Sequence, residues 1–131
     1  MFNKKKQPPI KSLIAEGTHM DGHIRFADGL RVDGDVTGNV HADAGKSSIL
    51  VVSESARIVG QVEADHIIIN GSVKGPVIAR EMLELQPKAR IEGDIHYAAL
   101  EMHQGALITG LLSPILEGEE KPTLKLAANN G

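Results

Sequence analysis

Leu30-Arg31-Val32-Asp33-Gly34-Asp35-Val36-Thr37-Gly38-Asn39-Val40 places an apolar residue or a glycine at every second position. A period of two is the signature of an extended strand with one face buried. The second half, Val36-x-Gly38-x-Val40, recurs along the chain as apolar–x–Gly–x–apolar. The other copies are Met20-Asp21-Gly22-His23-Ile24, Ile58-Val59-Gly60-Gln61-Val62, Val73-Lys74-Gly75-Pro76-Val77, Ile91-Glu92-Gly93-Asp94-Ile95 and Ile108-Thr109-Gly110-Leu111-Leu112. Their glycines are 16, 22, 15, 18 and 17 residues apart, a short solenoid period.

A second apolar pair precedes five of the six copies: Leu30-x-Val32, Leu50-x-Val52, Ile67-x-Ile69, Leu83-x-Leu85 and Leu100-x-Met102. Each pair starts 6 or 8 residues before the apolar residue that opens its glycine motif. Both offsets are even, so on an extended chain the two elements face the same way. A helix over Ala79–Leu85 is the local competitor. Glycine inside nearly every segment costs a helix about 1 kcal/mol relative to alanine, and the period of two runs throughout. The expected fold is therefore all-β. It is a single-stranded parallel β-helix of about six coils, each stacked about 4.8 Å from the last, forming a rod about 29 Å long. Glycines 22, 38, 60, 75, 93 and 110 are expected to be structural turn residues set within strands, and Gly45-Lys46-Ser47-Ser48 to bulge as a loop in the longest spacing.

Composition agrees with a narrow, evenly stacked interior. Aromatics are 2% of the 131 residues, whereas 41% are apolar, so Val, Ile, Leu, Ala and Met must fill the core. There is no cysteine, which excludes a disulfide framework and thiolate metal sites and suits a reducing compartment. A formal net charge of −3 argues against a nucleic-acid binder. No apolar run approaches the roughly 20 residues of a membrane span. The basic start has no apolar segment behind it, so it does not read as a secretory signal. Three regions are expected: a disordered basic arm over 1–13, the β-helix over 14–116, and a disordered tail over 117–131.

A β-helix ends in a ring of unpaired strand edges, which templates the addition of another chain. Solenoids usually cover such ends with caps. No amphipathic helix is legible before Met20 or after Leu112, and the last coil runs into Leu111-Leu112-Ser113-Pro114-Ile115-Leu116. Ends that adhere without closing on themselves give fibres. The expected polymerisation interface is Ile24 and Phe26 at one end and Leu111, Leu112, Ile115 and Leu116 at the other.

The glycine motifs, above all Leu30–Val40 and Ile67-Ile68-Ile69-Asn70-Gly71-Ser72-Val73-Lys74-Gly75, resemble those of the bactofilins. So do the Met-Phe start, the basic Pro-containing arm and the short polar tail. The resemblance covers residues 14–116 and, more loosely, both termini. It implies a right-handed, roughly triangular β-helix that forms filaments without nucleotide through its terminal coils. It also implies a cytoplasmic, cytoskeletal protein that catalyses nothing, bound to the inner face of the cytoplasmic membrane. Such proteins organise cell shape or place cell-wall synthases and hydrolases. The expected membrane-binding residues are Met1, Phe2, Lys4, Lys5 and Lys6. Each lysine near an anionic leaflet contributes about 1 kcal/mol, so one arm binds weakly and a filament of many arms binds firmly.

Other chemistry fits less well. Gly45-Lys46-Ser47 imitates the end of a P-loop, but Val40 stands where that motif needs glycine, and Ile49–Val52 reads as strand where it needs a helix. The glycines form no dinucleotide fingerprint, so no nucleotide or other cofactor is expected. His41 and His96 share one repeat position three coils apart, about 14 Å, too far to share an ion. His19, His23, His66 and His103 show no ligand spacing, so no metal is expected. Asp33 and Asp35 alternate along one strand, a spacing open to acid/base chemistry, but the chain lacks the long loops that build a polysaccharide groove. Two readings on related folds compete. A left-handed hexapeptide-type acyltransferase needs a strict six-residue register, which these spacings break. A non-polymeric β-helix scaffold would have ends that do not adhere.

Overall fold

The computed structural model describes residues 8–116. Sixteen short strands and no helix occur among them. They wind as about six coils with three faces, and every strand pair is parallel. The first face stacks β1 (Ile10–Ile14), β4 (Gly29–Val32), β7 (Ile49–Val52), the second halves of β9 (Val62–Ile69) and β11 (Val77–Leu85), and β14 (Leu100–Met102). The second face stacks β2 (His19–Asp21), β5 (Asp35–Thr37), β8 (Arg57–Val59), β10 (Ser72–Lys74), β12 (Arg90–Glu92) and β15 (Leu107–Thr109). On the third lie β3 (Ile24–Phe26), β6 (Val40–Ala42), the first halves of β9 and β11, β13 (Ile95–Tyr97) and β16 (Leu112–Pro114).

Equivalent residues of successive coils pile into inward columns. Met20, Val36, Ile58, Val73, Ile91 and Ile108 pair in register on the second face. Ile24, Val40, Val62, Val77, Ile95 and Leu112 do so on the third. The Leu/Ile–x–Val/Ile/Leu pairs form two more columns on the first face, as their even offsets predict. In the middle coils these side chains are sealed from water: Leu50, Val62, Ile67, Val73, Val77, Leu83 and Ile95 are fully buried. The segment Ala79–Leu85 lies in β11, so the helical alternative is not taken.

Corner lengths explain the mixed offsets. Between first and second faces the chain spends two residues at Asp33-Gly34 and Asn70-Gly71, but four at Ser53–Ala56, Gln86–Ala89 and His103–Ala106. Each four-residue corner closes with a bond from its last N–H to its first carbonyl, 3.0 Å for Ala56 to Ser53. Its terminal alanine then plugs the interior: Ala56, Ala89 and Ala106 are buried. Two-residue corners nest against the preceding four-residue ones, and a Cβ at Gly71 would lie 2.1 Å from the Ser53 carbonyl oxygen. Corners of two and four residues are incompatible with a six-residue register. The residues at 43–48 form the expected bulge, and strand β7 follows directly.

Two expectations need correction. The motif glycines do not sit within strands. Each stands at the corner between second and third faces with positive φ, from 126° at Gly22 to 150° at Gly110, so the motif spans two strands. The reason is steric: glycine tolerates this φ, and from Gly38 onward a Cβ would strike the backbone of the preceding coil. The expected boundary between arm and coil also falls inside β1. Residues 10–13 belong to this strand, because β4 offers them a pairing edge from Gly29 to Arg31.

Candidate functional site at the two ends of the rod

The inward columns change character at their ends, most of all at their last members. Leu83, Leu85 and Ile95 are 0% exposed, whereas their partners one coil later are half-buried at Leu100, 46% exposed at Met102 and 42% at Leu112. Ile108, stacked on buried Ile91, is half-buried. These side chains point into the rod, and the coil that would cover them is not present among the described residues. Leu111 and Leu116, at 69% and 65%, and Ile115, at 37%, add apolar area around this end.

Backbone groups behave in the same way. Within the rod, Gly93 N–H donates to the Thr109 carbonyl (2.9 Å) and Ile95 N–H to the Leu111 carbonyl (2.8 Å). His103 N–H donates to the Leu85 carbonyl (2.8 Å). In the last coil the corresponding groups are the N–H of Gly110 and Leu112 and the carbonyl of Met102, which face outward along the rod axis. Edge groups and apolar columns therefore end on one surface. Such a surface is a template for strand pairing with a dry centre.

The opposite end is less apolar. Phe26 is 8% exposed and Ile24 half-buried, so Phe26 presents little surface there. Met20 at 39% is the more exposed inward member of the first coil, and Ser12 stands in the column occupied elsewhere by leucine and isoleucine. Sequence reasoning missed Met20, Leu100, Met102 and Ile108. The signal was present: each begins or ends a column, and a column's terminal member loses one covering neighbour. Met1, Phe2, Lys4, Lys5 and Lys6 lie outside the described residues.

The competing chemistries are not assembled. Asp33 and Asp35 do not share a strand: Asp33 sits in a two-residue corner and Asp35 opens β5. Corner geometry separates them, because the chain turns at Gly34 and sends their carboxylates to different partners. Asp33 Oδ1 accepts from Arg31 Nε at 2.9 Å, while Asp35 Oδ2 pairs with His19 Nδ1 at 3.0 Å. Hydrogen bonding from the Ser53 hydroxyl and the Arg31 guanidinium holds the Asp33 carboxyl below its ordinary range, unsuited to proton donation. Gly45-Lys46-Ser47 precedes a strand, so no helix N-terminus faces that loop. His41 and His96 are held apart in one outward column by Glu63 and Ile78. His103, in contrast, meets two carboxylates, Glu84 and Glu101.

Comparison with known proteins agrees with this architecture. The family model for bactofilins, described as polymer-forming cytoskeletal proteins, matches residues 12–113. Bactofilin BacO of Myxococcus xanthus is 27% identical over 109 residues, covering 83% of each chain. No solved structure matches at a significant level. A stacked parallel coil whose apolar columns and strand edges both run out at its ends is what a polymer-forming subunit requires, and this chain belongs to the bactofilin family of polymer-forming cytoskeletal proteins.

Proposed function

We propose that the terminal coils are the polymerisation surfaces, that assembly needs no nucleotide, and that the basic N-terminal segment attaches the polymer to the inner face of the cytoplasmic membrane. There the filament scaffolds cell-shape machinery, such as a cell-wall synthase or hydrolase. One observation carries the assembly reading: Met102 and Leu112, members of otherwise sealed columns, are 46% and 42% exposed. Covering each stabilises an end contact by about 1 kcal/mol, and four such side chains share the last coil. New backbone pairing along three edges adds direction and register. The strand that follows Gly45-Lys46-Ser47 supports independence from nucleotide, since phosphate binding there would need helix amides.

Electron microscopy and sedimentation of nucleotide-free protein test the reading. Leu112→Arg places a charge between stacked coils, where its desolvation is uncompensated, and should leave short soluble species. Val59→Arg, on the 49% exposed flank of the rod, should assemble normally. Long filaments from Leu112→Arg would remove Leu112 from the interface. Membrane attachment is tested by flotation with anionic vesicles. Deleting residues 2–6 should abolish flotation and leave filaments intact, and retained flotation would dismiss the anchor.

A further inference from the structure

Parallel stacking in register sets equivalent residues of neighbouring coils side by side, so like charges in one outward column face each other. Most columns avoid this. On the second face the order is His19, Asp35, Arg57, Ser72, Arg90, Leu107, and on the third Arg25, His41, Glu63, Ile78, His96, Ser113. Neither puts two charges of one sign on adjacent coils. The first face departs from the pattern at its far end, where Glu84 and Glu101 are direct register partners on β11 and β14. Like charges directly opposite each other are destabilising.

Both carboxylates converge on one imidazole nitrogen. His103 Nε2 lies 3.2 Å from Glu84 Oε2 and 3.3 Å from Glu101 Oε2. The first contact is a hydrogen bond; the second is close but contributes no hydrogen bond of its own. One N–H cannot be aimed along both lines, so a neutral imidazole satisfies only one carboxylate. Gln86 Nε2 donates weakly to Glu84 Oε2 at 3.4 Å and does not reach the deficit at Glu101. A single ligand atom from each of the three residues lies within 4.8 Å of the others. Ligand atoms around a tetrahedral zinc ion, at about 2.0–2.1 Å from the metal, stand about 3.3 Å apart. The two contacts to His103 already have that spacing.

We propose that Glu84, Glu101 and His103 form a binding site for a divalent transition-metal ion of the zinc class. The ion takes the place of the Nε2 proton, pairs with both carboxylates at once and leaves one coordination position open. An imidazole with only two carboxylates suits zinc, cobalt or nickel rather than calcium or magnesium, which need a shell of six or more oxygens. Glu84 comes from the fifth coil, and Glu101 and His103 from the sixth. The bound ion therefore staples the last coil to the rod beneath it.

Equilibrium dialysis of the full chain against Zn2+, and visible absorption with Co2+, test this. One ion per chain should bind saturably, with the intense d–d bands of a four-coordinate cobalt site. His103→Ala and Glu101→Gln should each weaken binding by about tenfold or more, whereas His96→Ala, on another face, should leave it unchanged. None of the three substituted positions is buried, and circular dichroism confirms that each variant folds. Unchanged binding in His103→Ala or Glu101→Gln, or an equal loss in His96→Ala, would overturn the site and leave only diffuse binding to surface histidines.

Discussion

Gly60 shows how much one residue can be asked to do. Its φ is +149°, and a Cβ there would stand 2.1 Å from the Gly38 carbonyl oxygen. Side chains rarely adopt that conformation, and the colliding atom is backbone of the preceding coil, which cannot yield without unstacking. Gly60→Ala should destabilise the protein by about 3 kcal/mol, read as a lowered denaturant midpoint. Gly22 occupies the same corner of the first coil with φ +126°, but its Cβ would meet nothing within 4 Å. Gly22→Ala therefore carries conformational strain alone and should cost about 1 kcal/mol. Equal losses at both positions would show that stacking adds nothing to the demand for glycine.

Strands as short as three residues have little stability of their own, and they rely on neighbours above and below. Side-chain clasps between coils supplement the backbone ladders. Arg80, in β11, donates from Nε to Asp65 Oδ1 (2.9 Å), from Nη1 to Glu63 Oε2 (3.0 Å) and from Nη2 to the Ala42 carbonyl (3.0 Å). It thus ties three successive coils together beside the 43–48 loop. Its side chain is only 23% exposed and Asp65 only 14%, so loss of the guanidinium leaves two poorly solvated carboxylates. Arg80→Ala should cost about 2 kcal/mol in equilibrium unfolding, and Arg80→Lys should recover little, because an ammonium cannot donate along three fixed directions. Full recovery by lysine would mean that charge alone matters there. Nothing in the sequence singled out Arg80: its partners lie 15, 17 and 38 residues away.

For the whole molecule, stability should be graded along the rod. Backbone pairing joins each coil only to its neighbours, as in other solenoids, so the terminal coils have half the pairing of the middle ones. In hydrogen exchange of dispersed subunits, amides of β14, β15 and β16 should exchange before those of β7, β9 and β10. Assembly through the ends reverses the order at the last coil, and filaments should protect Gly110 and Leu112. Protection spread evenly over the flanks, with the last coil unchanged, would point to lateral association instead.

Strand type, the number of coils and the inward residues of the four motif columns were readable along the chain, whereas the buried corner alanines Ala56, Ala89 and Ala106 were not. What was readable follows from alternation and from even offsets, which are local properties of an extended backbone. The apolar character of the far end was readable for the same reason, as the last copy of a known repeat. Relations made at the corners were decided only by tertiary structure. Glu84 opposite Glu101 was implicit in the repeat, as the middle residues of Leu83-x-Leu85 and Leu100-x-Met102. His103 beside both, at the start of a four-residue corner, and Asp33 parted from Asp35 by a two-residue corner depend on corner length. A corner's length is set by how it nests on the coil beneath, a contact between segments some 17 residues apart that no local pattern encodes.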